Sequence, residues 1–554
     1  MGNAMGLTGL MQPTQLLISG LVRHAAAYHG GVEVVSQLHG GEQRRSNWRT
    51  VEARARQLAS ALERSGVQRS DRVVTLAWNT DRHLELYYAV AGMGAVVHTV
   101  NPRLFPEQIA YIVNHAAGAT LCFDLDFADL VVQLAPQLPH IQRYVVLCHG
   151  HQLPKLDLPG LCAYEDLLAS GDAAHVWPEL EEHMASAMCY TSGTTGNPKG
   201  VLYSHRSTVL HSFAACAADG LGLTARDSVL LSVPMFHVNA WGVPYAAAMC
   251  GAKLVLPGSG VTGERLYALA RDEACTFSLG VPTVWLGFFQ YIDQHRATLD
   301  LGQIKLQRVV IGGSAAPRAI IERFEREFGV YVIQAWGMTE TGPLSTIGNL
   351  LPQHLGQPVE RRIDVQCRQG RAIFGVEVGV FGAEGQALPH DGRSVGELRV
   401  RGPWVVSAYF GNTAGSAQDA QGWFSTGDVA YIDTDGYVQI TDRSKDVIKS
   451  GGEWISSIDL ENTAVGHPQV REAAVIGLPH SKWQERPLLI VVPKPGETPT
   501  GAEILDYMRD KVARWWLPDE VVFVEELPHT ATGKLLKTRL REQFKDHRLA
   551  TDTA

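Results

Sequence analysis

From about residue 50 onward the chain alternates between segments of helical period and short apolar runs, a rhythm that few folds accommodate. Residues 50–62 place Val51, Ala55, Leu58, Ala59 and Leu62 on one stripe with arginines opposite, the 3.6-residue period of an amphipathic helix. Residues 71–77 then read as a strand, 83–92 as a helix, 95–100 as a strand, 106–116 as a helix and 120–123 as a strand. Apolar runs at 229–232, 253–256, 276–279 and 309–311 continue the series. Such alternation predicts an α/β domain in which parallel sheets are covered by helices.

After about residue 355 the pattern shifts to short β-like runs bounded by turn signals, at 396–402 and 433–440, which predicts a β-rich subdomain. A polar stretch at 441–445 precedes about 110 residues with strands of their own (473–477, 488–492, 521–524) and a helix near 502–512. The chain of 554 residues exceeds what one core serves. Two domains are therefore expected: a large α/β domain over 1–441 and a small α+β domain over 442–554.

Composition narrows the function classes. A net charge of −9 without a long basic run argues against nucleic acid as a partner. The eight cysteines are dispersed and none form C-x-x-C, which argues against zinc or a disulfide framework and for a reducing cytoplasm. There is neither a run of about 18 apolar residues nor a signal-peptide pattern at the start, so no membrane span is expected.

Residues 190–200 are Tyr190-Thr191-Ser192-Gly193-Thr194-Thr195-Gly196-Asn197-Pro198-Lys199-Gly200. Glycines let consecutive backbone N–H groups turn toward one anion, and hydroxyls and a lysine add donors, so the stretch reads as a phosphate cradle. A polar surface loop is the plain alternative. It is not a P-loop, because Pro198 intervenes between Gly196 and Lys199.

As written, this stretch resembles the phosphate-binding signature of the adenylate-forming superfamily, which includes acyl-CoA synthetases, luciferases and the adenylation domains of peptide synthetases. Six further stretches are similar to that superfamily in the same order, and the resemblance implies roles for them. Thr191, Ser192, Gly193, Thr194, Thr195, Gly196 and Lys199 would hold the ATP phosphates. In the run 234–242, His237 would sit by the acyl carboxylate and Trp241 would gate the fatty-acid tunnel; the two lie on one face if the run is helical. Gly313, Ser314 and Ala315 would lie against adenine. In the run Gln334, Ala335, Trp336, Gly337, Met338, Thr339 and Glu340, the tryptophan would stack on adenine, Thr339 would meet the α-phosphate, and Glu340 would hold Mg²⁺ with Thr191.

The same resemblance implies that Asp428 binds the ribose with help from Arg443, and that Lys445 is the hinge of a mobile C-terminal domain. Lys449, Gly451, Gly452, Glu453 and Trp454 would serve the thiolation state, and Lys534 would be the catalytic lysine that screens charge between carboxylate and α-phosphate. The expected activity is ATP-dependent ligation of a carboxylic acid, medium- or long-chain fatty in type, to coenzyme A through an acyl-adenylate. A short sulfur-containing or aryl acid, carrier-protein loading, and a nucleotide-binding protein without chemistry are the alternatives. Some fatty-acid members are homodimers, which makes a homodimer an expectation here.

Overall fold

The computed structural model describes residues 9–191, 197–443, 445–450, 453–529 and 535–552. Two large sheets form the first part. A seven-stranded sheet runs in the order Cys162–Ala163, Arg143–Val146, Thr120–Phe123, Arg72–Leu76, Val96–Thr99, Ala185–Tyr190, Gly200–Ser204, parallel except for its last pair. The second sheet has nine strands and is parallel from Glu33–Gln37 through to Tyr331–Gly337, with antiparallel strands at both edges.

The central strands Val96–Thr99, Thr120–Phe123 and Phe277–Gly280 are buried along their whole length, as parallel strands covered on both faces must be. The helix Asp81–Gly92 is buried at every position, so it cannot be an amphipathic surface helix; apolar residues of both sheets pack with it in one core. The helix Trp48–Arg64 starts where the Asn47 side chain accepts from the Thr50 N–H at 2.9 Å. The helices and strands expected between residues 50 and 123 are all present, within two residues at each end. The hairpin Glu33–Gln37 and Gln43–Asn47 was not expected, because Gln43–Asn47 is polar throughout and forms an exposed edge.

One further pattern, Gly258-Ser259-Gly260-Val261-Thr262-Gly263, follows the strand Lys253–Leu256 and opens the helix Gly263–Asp272, the spacing of a dinucleotide fingerprint. Packing accounts for it. A Cβ at Gly258 would overlap the Gln37 carbonyl, one at Gly263 would overlap the Gly287 carbonyl, and Arg265 covers the loop by donating to the Pro257 carbonyl at 3.2 Å.

A four-stranded antiparallel sheet (Glu377–Phe381, Gly396–Arg401, Phe424–Ile432, Val438–Arg443) follows, and Gly396–Arg401 and Val438–Arg443 alternate buried and half-buried residues. The chain changes sheets between Arg443 and Ile448. The C-terminal sheet contains Ile448–Ser450, Glu453–Ile455, Val470–His480, Gln484–Pro493 and Glu520–Phe523, and it carries separate apolar cores on its two faces. The helix expected near 502–512 is Gly501–Met508, closed at its start by a Thr500–Glu503 capping box.

Candidate active site

A cavity of about 520 Å³ opens where strands of both large sheets end, the usual place for a ligand in open parallel sheets. Its walls bring together Thr191, Lys199, His237, Trp241, Gly313, Ala335, Trp336, Gly337, Met338, Thr339, Glu340, Arg443 and Lys445. An adjoining cavity of about 280 Å³ adds Ser314, Ala315, Gln334 and Asp428. Residues more than 250 positions apart in sequence thus converge on one site. Lys449 lines neither cavity; it is exposed, and its backbone N–H donates to Glu485 at 2.8 Å. Ser192, Gly193, Thr194, Thr195, Gly196, Gly451, Gly452 and Lys534 lie outside the described residues, as do the side chains of Glu453 and Trp454, whose backbones pair with Ser450 and Lys449.

The base of the expected phosphate loop continues a hairpin. Tyr190 pairs with Gly200, and beyond them the Thr191 N–H donates to the Lys199 carbonyl at 2.9 Å while the Lys199 N–H donates to Thr191 Oγ1 at 3.3 Å. The Lys199 ammonium stands 4.8 Å from the Tyr409 ring centroid, and the Tyr409 hydroxyl donates to Glu340 Oε1 at 2.9 Å. A cation and a carboxylate are therefore spaced by one aromatic ring rather than neutralising each other. Tyr409 escaped sequence reasoning because nothing around it is periodic or motif-like; the fold alone brings it between the two.

On the opposite wall the Trp336 Nε1–H donates to Asp428 Oδ2 at 3.1 Å, and Arg443 Nε lies 2.7 Å from Asp428 Oδ1. Asp428 and Arg443 are directly paired residues of adjacent antiparallel strands. Asp428 is almost fully buried, and a buried carboxylate is stable as an anion only when charged and hydrogen-bonding partners meet it. A small residue is needed where Trp241 meets the strand Tyr331–Gly337: a Cβ at Gly312 would lie 2.9 Å from the Ala335 carbonyl and 3.1 Å from the Trp241 ring.

The run holding His237 and Trp241 is not a right-handed helix. Val238, Asn239, Ala240 and Trp241 all have positive φ, 39°, 53°, 50° and 57°, followed by Gly242 at 74°. This is one left-handed turn, in which each non-glycine residue costs roughly 1–2 kcal/mol. The expectation that a helix would put His237 and Trp241 on one face is corrected; the turn still directs both to the cavity. Asn239, a residue type that tolerates this backbone, anchors it: Cys189 Sγ donates to Asn239 Oδ1 at 3.1 Å, and Asn239 Nδ2 donates to the Tyr245 hydroxyl at 3.3 Å. Below the turn, His211 accepts from the Leu344 N–H at 3.3 Å. Burial pushes its pKa down to about 4, so the imidazole is neutral at pH 7.

Lys537 lines both cavities and was not expected. It is buried and hydrogen-bonded to the Ser457 hydroxyl, with Glu461 Oε1 at 2.7 Å. Burial alone would lower its pKa, yet Glu461 and Asp442 outweigh that and hold it above the ordinary lysine value. Asp442, just before the change of sheets, accepts from the Ser457 N–H at 2.8 Å and its hydroxyl at 2.6 Å. Those bonds tie the C-terminal helix Ser457–Val465 to the four-stranded sheet.

Among the described residues no group of three or more His, Cys, Asp or Glu side chains could hold a metal ion. The donors on the cavity wall, the Glu340 carboxylate and the Thr191 hydroxyl, fit a hard Mg²⁺ that takes its remaining ligands from phosphate and water. No described helix is long and apolar enough to cross a membrane.

Residues 21–410 match the family model described as AMP-binding enzyme, and residues 459–534 match the AMP-binding enzyme C-terminal domain. The chain is 51% identical over 540 residues to a medium-chain-fatty-acid–CoA ligase of Ectopseudomonas oleovorans, covering 98% of each chain. It is 50% identical over 544 residues to a 3-methylmercaptopropionyl-CoA ligase of Ruegeria lacuscaerulensis, covering 98% of this chain and 99% of that one. A crystal structure of an anthranilate CoA ligase in complex with anthranoyl-AMP superposes with a TM-score of 0.85 at 24% identity, over 96% of this chain and 98% of that one, a likeness of fold. With both family units matched in order and relatives aligned over nearly their whole length, the chain belongs to the AMP-binding enzyme family.

Proposed function

We propose that this AMP-binding enzyme is an acyl-CoA ligase whose acid is a medium- or long-chain fatty acid. The observation that carries the reading is one cavity whose lining is of two unlike kinds. Lys199, Glu340 and Arg443, the last paired with Asp428 of the adjoining cavity, suit a polyanionic nucleotide; Val238, Trp241, Leu221, Val310 and Leu344 are apolar, and His237 lines the same cavity. A carboxylate is a poor electrophile, and joining it to AMP supplies a leaving group that a thiol can displace.

In the first half-reaction Thr191 and Lys199, with Ser192, Gly193, Thr194, Thr195 and Gly196, hold the phosphates. Trp336 lies along the base, with Gly313, Ser314 and Ala315 beside it. Asp428 and Arg443 orient the ribose, and Lys534 screens the repulsion between the carboxylate and the α-phosphate. Mg²⁺ held by Glu340 and Thr191 would neutralise phosphate charge. In the second half-reaction the domain 442–554 rotates about Lys445, a closure that a few hinge residues can carry. That rotation brings Lys449, Gly451, Gly452, Glu453 and Trp454 toward the thiol of coenzyme A. The eight free cysteines agree with a cytoplasmic enzyme, and light scattering would test for a homodimer.

The test is CoA-dependent AMP release across straight-chain acids from butyrate to stearate. A maximum at octanoate or beyond is expected, and no acid-dependent AMP release from any member would sink the proposal. A short sulfur-containing acid is the second reading, favoured by the relative named for 3-methylmercaptopropionate; adding that acid to the panel separates the two.

A further inference from the structure

The two chains that lead into the expected phosphate loop leave the seven-stranded sheet at its edge, where Tyr190 pairs with Gly200. The strand Gly200–Ser204 has a sheet neighbour on one side only, so the sheet by itself does not fix the direction in which the loop departs. Phe410 meets the open side, its N–H donating to the Gly200 carbonyl at 2.8 Å. The junction has no slack, because a Cβ at Gly200 would come within 3.0 Å of the Tyr190 ring and 3.1 Å of the Phe410 Cβ.

One imidazole touches both side chains of this junction. His115 stands in the last turn of the helix Pro106–Ala116 and lines neither cavity of the candidate active site. Its Nδ1 and the Tyr190 hydroxyl share a hydrogen bond of 2.6 Å, and its ring meets Phe410 edge-on at 5.5 Å. Tyr111, one turn earlier on the same helix, stacks on the His115 ring at 5.6 Å and braces it. Tyr190 also lies 5.2 Å from the ring of buried His98.

What these two side chains adjoin gives the contact its meaning. Tyr190 immediately precedes Thr191, which is bonded to Lys199; Phe410 immediately follows Tyr409, the ring between Lys199 and Glu340. Thr191, Lys199, Tyr409 and Glu340 all line the main cavity. We infer that His115 is a positioning residue for adenylation: through Tyr190 and Phe410 it sets Thr191 and Lys199 against Tyr409 and Glu340, the spacing that receives the phosphates of ATP. The inference rests on the acyl-CoA ligase reading above. His115 touches no substrate, so its contribution is geometric, made by locking the residues that do.

His115 is exposed at the end of its helix, so His115→Ala should fold. In acid-dependent ATP–pyrophosphate exchange the variant should raise the KM for ATP about tenfold, as misplacement of a binding loop does, and leave the KM for the acid within about twofold. Thioester formation from supplied acyl-adenylate, in which no triphosphate takes part, should keep its rate. Tyr190→Phe keeps the ring and removes only the hydroxyl; it should raise the KM for ATP about fivefold, and the double variant should be no worse than His115→Ala alone. A KM for ATP within about twofold of wild type in either single variant, or losses that multiply in the double variant, would overturn the assignment. So would equal loss in both half-reactions, which marks a residue that only supports the fold. If wild-type protein shows no acid-dependent exchange with any acid, the ligase reading has failed. Calorimetric binding of ATP with Mg²⁺ then decides His115 by itself: weaker binding to both single variants supports it, and wild-type binding by either refutes it.

Discussion

Asp428 and Arg443 face each other across two antiparallel strands, Arg443 Nε 2.7 Å from Asp428 Oδ1, while Trp336 Nε1–H holds the other carboxylate oxygen at 3.1 Å. The three side chains come from strands of two different sheets, so their contact also locks the four-stranded sheet against the nine-stranded one. Asp428→Asn removes the charge and keeps the shape. Because Arg443 is half exposed and finds water, the expected loss of stability is modest, about 1–2 kcal/mol. The KM for ATP should rise roughly 10- to 100-fold by loss of orientation, and an unchanged KM for ATP would remove Asp428 from the nucleotide site.

Lys534→Ala should abolish acid-dependent ATP–pyrophosphate exchange yet leave CoA thioester formation from supplied acyl-adenylate near the wild-type rate. Equal loss of both half-reactions would show that this lysine is not specific to adenylation.

The left-handed turn 238–242 depends on Asn239. Asn239→Ala removes both anchoring hydrogen bonds and places alanine where asparagine is better tolerated, so unfolding should become easier by about 2–3 kcal/mol. Trp241 packs on Gly312 only if the turn holds. The variant should therefore shift chain-length preference in the same direction as Trp241→Ala, with little change in ATP affinity. An acid profile identical to wild type would separate the turn from acid selection.

His211 yields a pH dependence whose sign follows from its burial. Its folded pKa of about 4 lies below the ordinary 6.5, so on acidification the unfolded chain takes up the proton first and stability falls between those values. Buried Asp459 and Glu461, both pushed up to about 6, act in the opposite sense by favouring the folded state in acid, so the net curve mixes the two. The difference between wild type and His211→Gln isolates the histidine: going from pH 7 to pH 5, wild type should lose about 2 kcal/mol relative to the variant. Parallel denaturation curves at both pH values would contradict a neutral buried imidazole.

Much of the fold was legible because burial periodicity is a local property. Pro106–Ala116, Thr120–Phe123 and Lys253–Leu256 carry their element type in their own residues, and the loop at 190–200 holds the glycines, hydroxyls and lysine expected of an anion cradle. The handedness of 238–242 was not legible, since four consecutive left-handed residues are favoured by no local preference and persist only where surrounding contacts over-determine them. Nor could the fingerprint-like Gly258 to Gly263 be assigned to packing without the backbone carbonyls of Gln37 and Gly287 in place.

By itself, the sequence determined the α/β class, the β-rich and C-terminal segments, and many of the residues that line the two cavities. Tertiary structure alone decided how these meet. It put Tyr409 between Lys199 and Glu340, set Asp428 against Trp336 and Arg443, and brought Lys537 to both cavities. The physical reason is range. Propensity and periodicity act over a few residues, whereas the charge balance of a site is set by side chains hundreds of positions apart whose distances exist only after the sheets have packed.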